Sequence, residues 1–158
     1  MSSMPNLQRG LYFEEFETGQ TLETAGRTVT ESDIVLFAGM SGDFNRIHTD
    51  AEFSKGTVFG QRVAHGLLGL SIASGLVVQT GMMEGTIMAF REVSTWKFIK
   101  PIFIGDTIHV VVEVKDTKAI PRIAGGSIVI ELDVRNQDEE TVMKGNWTAL
   151  ISSRPNQG

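Results

Sequence analysis

The segment Ser41-Gly42-Asp43-Phe44-Asn45-Arg46-Ile47-His48 sets a carboxylate five residues before an imidazole. An Asp and a His converging on one pocket can move protons to and from a substrate near neutral pH. Five residues is not a shared helix face, which needs spacings of three, four or seven. Asp43 and His48 must therefore meet on a turn or loop, where Gly42 and Asn45 suit irregular backbone.

The flanking sequence reads as elements able to hold that turn. Thr21 to Thr30 carries β-favouring residues and predicts a strand. Thr30-Glu31-Ser32-Asp33 follows as a helix start, with Thr30 as N-cap and Asp33 as the capping-box acid. Ile34, Phe37 and Ala38 continue at helical spacing, and the helix should stop near 39–42, delivering the chain into Asp43. Ala51 to Lys55 predicts one further helical turn. Gly66 to Thr80 predicts the main helix, apolar almost all round and therefore buried. Four long strands are expected over 86–100, 107–115, 126–135 and 141–152, with turns at 104–107 and 136–140. Helices followed by consecutive strands predict an α+β fold, with an antiparallel sheet curling round one long helix.

Composition bounds the rest. The chain has 158 residues, 41% hydrophobic and 21% charged, the size and balance of one globular domain spanning 1–158. Its ends, 1–8 and 152–158, read as polar tails. A net charge of -5 argues against nucleic acid. With no cysteine, thiol catalysis, disulfides and Cys-based metal sites are excluded. No segment reads as a signal peptide or membrane span, so a cytoplasmic protein with no membrane partner is expected. Asp50 and His65 match no helical metal-binding spacing with His48, so no metal is expected.

Three blocks carry a family resemblance. Asp43-Phe44-Asn45-Arg46-Ile47-His48 resembles the Asp-x-Asn-Pro-(Leu/Ile/Val)-His signature of the MaoC-like dehydratases, also called R-specific enoyl-CoA hydratases, which have the hot-dog fold. Val63-Ala64-His65-Gly66-Leu67-Leu68 is similar to the family's His-Gly start of the central helix. Phe98 to Asp106 is similar to its strand, Pro and Gly-Asp turn. Together these cover roughly Thr21 to Ile151.

The resemblance implies reversible hydration of trans-2-enoyl-CoA to (R)-3-hydroxyacyl-CoA. Asp43 and His48 match the catalytic pair, Gly66 the residue whose N–H holds the thioester carbonyl, and Ser74 a supporting helix serine; Asn45 belongs to the signature. Coenzyme A enters only as part of the substrate, and no separate cofactor is implied. Arg46 stands where the signature has Pro and, with Arg62 and His65, is a candidate substrate contact. A single curled sheet leaves an open edge, so a homodimer or a multiple of one is expected. A hot-dog thioesterase and a non-catalytic acyl-CoA-binding subunit are the alternatives on the same scaffold.

Overall fold

The strand expected over 21–30 is two short strands in the computed structural model, which describes residues 10–155. These are β1 (Thr21–Glu23) and β2 (Arg27–Thr28). Thr24 interrupts them: its side-chain Oγ1 accepts from the Val110 N–H at 3.0 Å, taking the place of a ladder partner. Gly26 then passes so close to Thr107 that a Cβ would lie 3.1 Å from its methyl.

The first helix, α1 (Glu31–Ser41), begins as its sequence predicts. Thr30 Oγ1 accepts from the Asp33 N–H at 3.3 Å, while Asp33 Oδ2 accepts from the Thr30 N–H at 2.8 Å. Gly42 ends it at φ 78°, ψ 4°, a left-handed conformation that glycine adopts freely, and so turns the chain out into Asp43. Two one-turn helices follow, α2 (Arg46–Thr49) and α3 (Ala51–Lys55), and then the central helix α4 (Gly66–Gln79).

The remaining strands are β3 (Ile87–Phe98), β4 (Thr107–Ile120), β5 (Gly125–Arg135) and β6 (Thr141–Ser152). The sheet is antiparallel in the order β1-β4-β5-β6-β3, with β2 also paired to β4. Alternation decides which face is inside. Ile108, Val110, Val112 and Val114 of β4 are buried, as are Ile128, Ile130, Leu132 and Val134 of β5. They join Leu68, Ile72, Ala73, Leu76 and Val77 of α4 in one core. Each buried Val, Leu or Ile among them contributes roughly 1.5–3 kcal/mol. Gly69 allows α4 to approach: a Cβ there would lie 2.9 Å from Met143 and 3.0 Å from Ile102.

Two further expectations change. The central helix is not buried all round, since Leu67 and Val78 are 61% and 57% exposed. A single sheet covers only one side of it. Of the expected 152–158 tail, the described residues 152–155 are held to the fold, and 156–158 lie outside the described residues. Ser152 continues β6 opposite Gly125, and Arg154 pairs with Glu15 at 2.5 Å. The expected 1–8 tail lies outside the described residues.

β3 is one edge of the sheet, and the three-residue β1 is the other. Ile87, Met88, Phe90, Val93 and Phe98 of β3 are all at least 40% exposed.

Candidate active site

Side-chain caps build the turn that carries Asp43 and His48. Ser41 Oγ donates to the Phe37 carbonyl at 2.7 Å and accepts from the Asp43 N–H at 3.2 Å. Asp43 Oδ1 accepts from the Asn45 N–H at 3.1 Å, and Asn45 Oδ1 accepts from the Ile47 N–H at 3.2 Å, capping α2. His48 thus sits on a single helical turn, while Asp43 stays in the loop before it. That is how a five-residue spacing converges.

Asp50 fastens α2 to α3. Its carboxylate caps α3 through the Phe53 N–H at 2.9 Å and pairs with Arg46 at 3.0 Å. The buried Ser54 hydroxyl lies within hydrogen-bond range of the Arg46, Ile47 and Asp50 carbonyls.

His48 is buried and its protonation pattern follows from one contact. Nδ1 lies 2.7 Å from the Val63 carbonyl oxygen. A carbonyl only accepts, so Nδ1 carries the proton and Nε2 is left as the free base nitrogen of the neutral ring. Burial lowers the pKa of His48 most; repulsion from His65 acts in the same direction, against the Val63 hydrogen bond and the Asp43 charge. The Val63 N–H in turn donates to the Ile47 carbonyl at 3.1 Å, tying α2 to the segment that leads into α4.

Gly66 is the first residue of α4, and His65, the N-cap, makes no side-chain capping bond. The first N–H groups of α4 therefore lack both intrahelical and side-chain cap acceptors, and the helix dipole there favours negative charge. This end opens on a cavity of about 500 Å³ lined by His48, His65 and Gly66 together with Phe59, Phe98, Ile102 and Met143. A Cβ on Gly66 would lie 2.8 Å from the Phe98 ring, so only glycine leaves the N–H and the ring as they are.

A carboxylate oxygen of Asp43 and one nitrogen each of His48 and His65 lie within 4.8 Å of one another. The two imidazoles are stacked, with centroids 3.8 Å apart and planes at 28°. Imidazole lone pairs lie in the ring plane, so stacked rings aim them side by side rather than at one ion. The trio suits proton transfer better than metal binding.

The other expected residues fall elsewhere. Arg46 is held by Asp50 and lies over the Phe53 ring at 4.2 Å. Arg62 pairs with Glu31 at 2.6 Å. Ser74 is partly buried, eight residues along α4, and does not line the cavity. The lining of Phe59, Phe98, Ile102 and Met143 was not readable as such. Only the absent Cβ of Gly66 hints that something packs over it.

The family model described as the MaoC like domain matches residues 14–134. The chain belongs to the MaoC-like dehydratase family. It is 42% identical over 99 residues to Protein MaoC of Klebsiella aerogenes, covering 63% of this chain but only 29% of that longer protein. It is 38% identical over 103 residues to the (R)-specific enoyl-CoA hydratase of Rhodospirillum rubrum, covering 65% of this chain and 69% of that one. Among solved structures, a monoamine oxidase regulatory protein from Archaeoglobus superposes with a TM-score of 0.86 at 38% identity, over 95% of this chain and all of the other. A Mycobacterium tuberculosis protein with a double hot-dog fold superposes at TM-score 0.81 and 18% identity, over 95% of this chain and 46% of that one. At that identity it shows the hot-dog fold alone. Among the described residues, no helix is long and apolar enough to cross a membrane.

Proposed function

We propose that this chain catalyses the reversible hydration of trans-2-enoyl-CoA to (R)-3-hydroxyacyl-CoA, using Asp43 and His48 as acid and base. The observation that carries the reading is the convergence of Asp43 and His48 beside the free end of α4. Water must lose a proton as its oxygen bonds the β-carbon, and a proton must reach the α-carbon. Asp43 and His48 Nε2, sharing that water, supply both transfers, so the enzyme returns unchanged. The charge that develops on the thioester oxygen is met by the Gly66 N–H, and one such donor is typically worth about 3 kcal/mol in the transition state. Asn45 supports the pair by capping α2. Ser74 would support it from α4. Coenzyme A takes part only as the substrate's thioester, which suits a cytoplasmic setting.

The relative named an (R)-specific enoyl-CoA hydratase supports this choice over thioester hydrolysis. An assay with a short trans-2-enoyl-CoA, following loss of conjugation and release of free thiol separately, distinguishes them. Hydration removes conjugation without thiol; thiol release in step with it would overturn the reading.

The active form in this reading is a homodimer. The apolar open edge of β3 and the exposed Leu67 of α4 are the surface a second copy would cover. Val93→Lys should convert the dimer to monomer in sedimentation; wild-type protein that sediments as a monomer would contradict it.

A further inference from the structure

His65 has no part in the chemistry proposed above, yet it is buried and tightly constrained. Its Nε2 lies 2.9 Å from the backbone oxygen of Asp43, so the neutral ring carries its proton there. Nδ1 is buried without a partner. The ring stacks on His48 and also meets Phe37 of α1 at 4.9 Å and 53°.

Resting on the hydratase reading, we propose that His65 is a positioning residue: its Nε2–H fixes the main chain at Asp43, and its ring, stacked on His48, fixes the plane in which Nε2 of His48 meets the substrate. One side chain thereby sets both halves of the acid–base pair. The loop of Asp43 and the turn of His48 come from different local structures. His65 is the contact by which the start of α4 touches both.

The stack also has an electrostatic consequence. The titratable groups facing His48 are Asp43 from the loop and His65 from the start of α4. Arg46, on the same turn, is held by Asp50; Lys100, which lines the same cavity, is held by Glu140 at 2.5 Å. Charge on one stacked imidazole opposes charge on the other, which adds to the burial that keeps His48 a neutral base.

Imidazole nitrogen NMR tests this, and three histidines make assignment by single substitution simple. The wild type should show His65 protonated on Nε2 and His48 on Nδ1. His65→Phe keeps a ring but deletes the N–H; His65→Gln keeps an N–H of similar reach but deletes the ring. His48 should titrate at higher pH in both. Because small misplacements of reacting groups are costly, kcat should fall about 10- to 100-fold in His65→Phe, with part of it recovered in His65→Gln. A wild-type His65 protonated on Nδ1, or His48 titrating as in the wild type in both folded variants, would overturn the proposal. The NMR readout needs no turnover. The expected tautomers and shift in a protein that does not hydrate enoyl-CoA would therefore sink the reaction and uphold the positioning.

Discussion

Replacing Gly66 by proline should remove one N–H from the site, with alanine as the control for the added Cβ. As the first residue of α4, Gly66 has an N–H with no intrahelical acceptor, and proline is well tolerated at that position. The residue before it, His65, already sits at φ -59° and ψ 136°, the extended region that precedes proline readily. The added Cβ meets Phe98 Cε1 at 2.8 Å and Cδ1 at 2.9 Å, but that residue is 55% exposed and its ring can swing aside. Gly66→Ala adds the same Cβ and keeps the N–H, so the difference between the two variants isolates the hydrogen bond. One oxyanion donor is worth about 2.7–4 kcal/mol, so kcat of Gly66→Pro should lie about 100- to 1,000-fold below that of Gly66→Ala. The assay is loss of enoyl conjugation at saturating substrate, with thermal unfolding to show that both variants fold. Equal kcat in the two would refute the oxyanion role. A difference confined to KM would show that the proline ring only crowds the cavity.

Asp43→Asn should lower kcat by about 100- to 10,000-fold, the span of one lost acid–base group. The exposed Asp43 is not a core residue, and Asn can still accept from the Asn45 N–H, so the unfolding midpoint should hardly move; near wild-type turnover would remove Asp43 from the mechanism. His48, held low chiefly by burial, stays neutral below the ordinary imidazole value of about 6.5, so the acid limb of kcat/KM should fall below that value. The same shift acts on stability. The unfolded chain takes up the proton first, so the His48 contribution is complete above the unfolded value and lost as pH falls through the folded one. Denaturant midpoints followed downward in pH should show that loss, and His48→Ala should remove it. Arg46→Pro should retain activity. Arg46 is the first residue of α2, Asn45 precedes it at φ -52° and ψ 134°, and its ion pair with Asp50 is exposed and worth only about 0.2–1 kcal/mol. Complete inactivation would assign Arg46 a direct role.

Local signals carried most of the architecture. Thr30 and Asp33 mark the start of α1 because the capping box is a short-range contact, visible in four residues. Strict alternation in Ile108 to Val114 marks β4 for the same reason. Thr24 broke the expected 21–30 strand through a hydrogen bond to Val110, a partner 86 residues away that no local pattern reveals. The length of α4 was legible from its apolar run. Its half-exposed state was not, since an apolar helix reads alike whether its cover is its own sheet or another chain. In the site, Asp43, Asn45 and His48 stood out because they fall within six residues, whereas Gly66 entered only through the family resemblance. Phe98 over Gly66 and the His48–His65 stack join segments distant in sequence and required the folded chain.

Hydration is tested most directly by the product formed from a short trans-2-enoyl-CoA in heavy-oxygen water. The expected product is (R)-3-hydroxyacyl-CoA with one heavy oxygen on the β-carbon and coenzyme A still attached. Heavy oxygen in a free carboxylate, or recovery of substrate without label, would contradict it.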